Sequence, residues 1–170
     1  MSRYLIIILL LLPFQDNFTL TEIIRDYSPT KNQTTVRLLS KRLSGPKDRY
    51  QSLSYGIYYS YPGTEAALPK DVNFELVTVV RARQLDSDLY VVFVIDGKEV
   101  HFSSNRIGMP KPVAGRLWVG ERMVFLIPRE DFMKMAAAEK LGVKLGGVSF
   151  EFDEAARASV RSFAEAMKLL

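Results

Sequence analysis

The clearest alternation of apolar and polar positions lies in residues 89–103, where two β-type runs are separated by Asp96 and Gly97. An Asp-Gly pair between apolar runs is the typical loop of a two-residue β-hairpin, because both loop positions need a positive φ. We expect one face of this hairpin to lie in the protein core. The predicted pairs on that face are Ile95 with Lys98, Phe93 with Val100, and Val91 with Phe102.

The opposite face of the hairpin is apolar on its first strand, at Tyr90, Val92 and Val94, and polar on its second strand. A strand that is apolar on both sides is usually central in its sheet and covered on both faces. The amphipathic C-terminal segment, residues 154–167, is the expected cover. If that segment packs elsewhere, this face, which also carries His101, becomes the best candidate for a partner site.

Four further segments show strand-like alternation, and turn residues separate them at short spacing, as in a sandwich or barrel. Residues 34–43 carry charge on one side and are expected to form an edge strand. The segment 50–61 is rich in tyrosine, and residues 72–82 and 121–127 complete the set. The inward positions predicted for the second and third of these strands are Leu53, Tyr55, Ile57, Tyr59, Tyr61, Phe74, Leu76 and Val80.

The last third of the chain mixes helical and strand patterns. Pro128 is expected at the first position of a helix that continues to Glu139. Residues 140–152 are predicted to form one strand that is kinked or bulged at its two consecutive glycines. Asp153 has the position of an N-cap for a final amphipathic helix. The predicted fold is therefore mainly β, of the α+β class: an antiparallel β-sandwich with a short helix between the last strands and a C-terminal amphipathic helix.

Residues 1–15 have the layout of a signal peptide, because a basic residue precedes a short apolar run. Two alternatives stay open, an uncleaved membrane tether and a buried N-terminal strand or helix. In residues 16–33, the capping-box spacing of Thr19 and Glu22 predicts a short helix followed by a linker. We expect residues 34–170 to form a single β-sandwich-like domain with the C-terminal helix.

The composition is that of a globular domain: 170 residues, of which 48% are hydrophobic and 25% charged. The 23 basic and 19 acidic residues leave a net charge of +4, which is far from the composition of a nucleic-acid-binding protein. The absence of cysteine excludes disulfides, thiolate metal sites and cysteine catalysis. With one histidine and no cysteine, the sequence predicts no transition-metal site and no cofactor.

Two basic regions are candidates for ligand binding. Arg37, Lys41 and Arg42 precede the tyrosine-rich strand, an interleaving found in proteins that bind nucleic acids or anionic glycans. A charged strand also commonly serves only to prevent aggregation. The second region is the Gly- and Pro-rich loop of residues 105–120. It supplies Arg106, Lys111, Arg116 and the only tryptophan, Trp118, whose alternative role is to plug one end of the sandwich.

His101 is the only histidine, and the hairpin register places it on the outer face beside Glu99. A histidine paired with a glutamate or a serine supports acid–base chemistry, so a hydrolase that uses His101 is one alternative. No other member of a catalytic triad is visible in the pattern, and the sequence therefore assigns no catalytic residue.

The C-terminal half combines Ile127-Pro128 with Asp131-Phe132, followed by Gly146 and the alternating residues 148–152. A closing helix with Val160-Arg161 and Phe163-Ala164 follows. This arrangement resembles small uncharacterised exported bacterial proteins of a β-sandwich-plus-helix type. The resemblance implies an exported protein, periplasmic or extracellular, and it brings no activity and no functional residue.

The leading prediction is a binding or structural module of the bacterial periplasm or cell envelope, without catalytic activity. Its expected partner is an unidentified protein or envelope component. A protein that binds an anionic polymer and a hydrolase are the two alternatives. None of the patterns determines the oligomeric state.

Overall fold

A computed structural model describes residues 23–43, 50–80, 91–106, 111–112, 119–145 and 148–168. These residues form two antiparallel β-sheets and two helices, so the predicted sandwich-like α+β class is confirmed. The elements are β1 (Ile23–Ser28), β2 (Gln33–Leu43), β3 (Tyr50–Pro62), β4 (Asp71–Val80), β5 (Val91–Ile95), β6 (Lys98–Val100), β7 (Ser104–Arg106), β8 (Lys111–Pro112), β9 (Val119–Pro128), α1 (Arg129–Ala137), β10 (Leu141–Leu145), β11 (Val148–Glu151) and α2 (Glu154–Lys168).

The large sheet has the strand order β1-β2-β3-β4-β9-β7, and β8 also pairs with β9. Its longest ladder joins β4 to β9, from Asp71 opposite Pro128 to Val80 opposite Val119. Alternation along these strands gives the sheet one apolar inner face. The inner positions predicted for β3 are confirmed, since all five are at most 3% exposed: Leu53, Tyr55, Ile57, Tyr59 and Tyr61.

The small sheet has the order β11-β10-β5-β6, and the predicted hairpin forms one half of it. Both loop residues adopt a positive φ, 47° at Asp96 and 81° at Gly97. Two of the three predicted pairs are present, Ile95 with Lys98 and Phe93 with Val100. The third is not, because β6 ends at Val100. Phe102 instead packs its ring against that of Phe93, at 5.5 Å between centroids.

The small sheet packs on the inner face of the large sheet through a cluster of phenylalanines. The ring of Phe93 lies 5.3 Å from Phe74 and 5.2 Å from Phe125, in edge-to-face geometry. Such pairs contribute about 0.5–1.5 kcal/mol beyond the area they bury. The contact therefore places β5 over β4 and β9, and leaves the part of the inner face on β2 and β3 to another element.

Helix α2 covers that remaining part. Asp153 caps it, since the Asp153 carboxylate accepts a hydrogen bond from the Ala156 N–H at 2.8 Å, as predicted. The Tyr55 hydroxyl donates to the Ala156 carbonyl at 3.1 Å. The ring of Phe163 lies 5.8 Å from Tyr59 and 6.0 Å from Phe132 of α1. The two sheets and both helices thus share one hydrophobic core.

The predicted helix in residues 16–33 is wrong where the structure describes that segment. Ile23–Ser28 forms β1, which pairs with β2 from Ile23 opposite Leu38 to Ser28 opposite Gln33. Strand pairing here overrides the local helical signal, because it satisfies a whole row of backbone groups on β2. For the same reason β2 is not an edge strand over this stretch. Residues 1–22, with the predicted signal segment, lie outside the described residues.

Three boundaries in the C-terminal half also differ from the prediction. Residues 140–152 form two strands, β10 and β11, and the register of Leu145 opposite Val148 makes them a hairpin rather than one kinked strand. Helix α1 begins at Arg129, because Pro128 still pairs with Asp71 in the sheet. The predicted loop of residues 105–120 contributes β8 and part of β7 to the large sheet.

Neither of the two helices in the described ranges is long and apolar enough to cross a membrane.

Candidate functional site

The position of α2 decides which surface of the sandwich has no helix on it within the described part of the chain. Only Phe152 and Asp153 connect β11 to α2. Phe152 is 1% exposed, and its ring lies 5.0 Å from Tyr55 and 6.1 Å from Phe74. Because Phe152 is buried in the core, α2 begins on the core side, and the helix packs on α1 and β2. The expectation that α2 covers the outer side of the hairpin is therefore wrong.

The surface left without that helix is the outer face of the small sheet. Its middle strands place Val94 opposite Gly142, and Val92 opposite Lys144. Both valines are half-buried. We define the outer face by the residues that alternate away from the core, namely Val92, Val94, Glu99, Gly142, Lys144, Ser149 and Glu151.

Gly142 shapes the centre of the outer face. A Cβ atom at this position would lie 3.1 Å from the Phe150 carbonyl oxygen and 3.9 Å from the Val94 Cβ. The first distance is tighter than ordinary van der Waals contact, so a side chain here would require the neighbouring strand to shift. Gly142 therefore keeps Val94 of β5 and the backbone of β11 close together at the centre of the outer face.

The charges on the outer face largely neutralise each other. The Lys144 ammonium group donates a hydrogen bond to the Glu99 carboxylate, and this bond lowers the pKa of Glu99 below its ordinary value. The side chains of this ion pair are 42% and 52% exposed. An exposed pair of this kind contributes little to stability. Its effect is to frame the two valines with a neutral polar border.

His101 has no hydrogen-bonded carboxylate or hydroxyl partner among the residues that the structure describes. It is exposed and lies just beyond the end of β6, so the predicted pairing of His101 with Val92 is absent. The Glu99 carboxylate is already bound to Lys144, and no hydrogen bond joins the imidazole to a hydroxyl in the described part of the chain. Within those same ranges, no group of three His, Cys, Asp or Glu side chains is arranged to hold a metal ion. The hydrolase alternative stays a prediction.

The basic residues of β2 are divided between two faces. The register shifts between Leu38 and Lys41, which marks a β-bulge. Lys41 consequently lies opposite the inward Tyr55, whereas Arg42 lies opposite Ser54 on the outer side. Arg37 shares that outer side. The predicted group of Arg37, Lys41 and Arg42 is therefore reduced to two arginines on one face.

The second predicted group is only partly within the described residues. Arg106 lies in β7 opposite Met123, and Lys111 lies in β8 opposite Gly120. Their backbones therefore belong to the edge region of the large sheet, and their side chains lie outside what the structure describes. Arg116 and Trp118 also lie outside the described residues. The proposal that these four residues form a binding loop stays a prediction.

Sequence reasoning missed the contribution of β10 to the outer face. Gly142 and Lys144 alternate with the buried residues Leu141, Val143 and Leu145. A two-residue Gly-Gly loop is a hairpin signal of the same kind as Asp96-Gly97. If the two consecutive glycines after β10 are interpreted as such a loop, the alternation places Gly142 and Lys144 next to the outward valines of β5.

Comparison of the chain with protein-family models, with curated proteins and with solved structures finds no match. The functional conclusion therefore rests on the geometry of the chain itself.

Proposed function

We propose that this protein is a non-catalytic binding module, exported to the bacterial periplasm or cell envelope, that contacts a protein partner through the outer face. The observation that carries the proposal is that α2 packs on the large sheet, so that neither of the two described helices lies above Val92 and Val94. A middle strand with apolar side chains on both sides is otherwise covered on both sides.

The chemistry of the outer face favours a protein partner. Burial of apolar side chains drives association, and polar groups at the border of a contact give orientation and specificity. The outer face offers two valines at its centre, with the Lys144–Glu99 pair and Glu151 around them. Lys144 is paired, so this face has little net attraction for a polyanion.

Export is supported by the N-terminal sequence, where a basic residue precedes an apolar run. The test is to fractionate the producing cells and to determine the N-terminus of the mature protein. We expect the protein in the periplasmic or envelope fraction. A cytosolic protein that retains Met1 would contradict export and leave the binding proposal to be judged separately.

The binding proposal is tested with a photo-crosslinking amino acid at Val94 in the producing organism. We expect a discrete crosslinked product that disappears when Val92→Lys places a charge at the centre of the outer face. The matched control is the same photo-crosslinker at Asn73, which alternates outward on the large sheet. No product at Val94, or the same product from both positions, would refute the outer face as the binding site.

Binding of an anionic polymer is the second candidate, and it rests on Arg37 and Arg42, which share the outer side of the large sheet. Binding of this type weakens steeply with salt. It predicts retention on heparin that falls with ionic strength and with Arg37→Gln and Arg42→Gln together. Retention that is unchanged in the double variant would exclude this pair as the binding site.

A further inference from the structure

We draw no further inference here: the strongest candidate, the open groove between the start of α1 and the end of α2, carries nothing, because the Glu130 carboxylate lies beside Arg129 at its rim and nothing in the described part of the chain shows what covers its apolar floor.

Discussion

At the scale of single residues, two buried tyrosines of β3 differ in how their hydroxyls are satisfied. The Tyr55 hydroxyl donates to the Ala156 carbonyl and so ties the large sheet to the start of α2. The Tyr59 hydroxyl is equally buried, and it makes no hydrogen bond with the described residues. Burying a hydroxyl without a partner costs free energy, whereas a satisfied one contributes to stability. The two residues therefore form a matched pair for mutation.

We expect Tyr55→Phe to lower the free energy of unfolding by about 1 kcal/mol, because the Ala156 carbonyl loses its donor. Tyr59→Phe is expected to leave stability unchanged or to raise it by about 1 kcal/mol, because it removes an unsatisfied group. Urea unfolding of both variants measures the difference. A Tyr59→Phe variant that loses as much stability as Tyr55→Phe would show that the Tyr59 hydroxyl has a partner.

The same two residues predict a loss of stability in alkaline solution. Burial raises the pKa of Tyr55 and of Tyr59 from 10.0 to about 12. The unfolded chain releases these protons near pH 10, and the folded chain retains them until about pH 12. The folded state thus binds more protons in this window, so its stability is complete below pH 10 and falls as the pH rises to 12.

Urea unfolding at several pH values between about 9 and 12 tests this expectation. The loss of stability should begin near the ordinary tyrosine pKa of about 10. The control is the double variant Tyr55→Phe with Tyr59→Phe, in which we expect a flatter profile over the same window. Identical profiles for the variant and the wild-type chain would assign the alkaline loss to other groups.

At the scale of the elements, local chemistry predicted the β5–β6 hairpin and both described helices, but it missed the hairpin of β10 and β11. Asp96-Gly97 located one loop because both residues had to adopt a positive φ, and the structure shows that they do. The two consecutive glycines after β10 carried the same signal but were interpreted as a bulge. We expected residues 140–152 to form one strand because they are one apolar run. The register instead pairs Leu145 with Val148, so that the run forms two antiparallel strands.

Two features of the elements were beyond prediction from local pattern. The capping-box spacing predicted a helix where the structure has β1. The strand conformation of β1 follows from its pairing with β2. This pairing depends on a second segment, so the spacing of residues within β1 does not predict it. The amphipathic pattern of α2 identified its apolar side, with Val160 and Phe163 buried. It did not say which sheet surface that side would cover. The candidate site follows from that packing, because it leaves the outer face without either described helix.

The start of α2 provides the prediction at this scale. We expect Asp153→Ala to lower the free energy of unfolding by about 1 kcal/mol, because the Ala156 N–H loses its capping oxygen. Asp153→Asn retains an acceptor and is expected to retain most of the stability. Thermal unfolding compares the two variants. An equal loss in both would show that the charge of Asp153, rather than its hydrogen bond, stabilises the helix.

At the scale of the whole molecule, both described helices lie on the core side, and neither lies on the outer face of the small sheet. The inner face of the large sheet is divided between the small sheet and α2, and all of these elements meet in one core. The small sheet contributes its inner side to that core and turns its outer face away from it. The core thus supplies the stability of the fold, and the outer face is the surface that we propose for binding.

Engineered cysteines test this arrangement directly, because the chain has no cysteine of its own. Val94→Cys places a thiol on the outer face, and Val143→Cys places one on the inner side of the neighbouring strand, where the residue is 0% exposed. The rates of reaction with a thiol reagent under native conditions are compared. We expect Val94→Cys to react without unfolding, and Val143→Cys to react only through rare opening of the core. Equal, strong protection of both thiols would contradict the account, because it would mean that the outer face is covered.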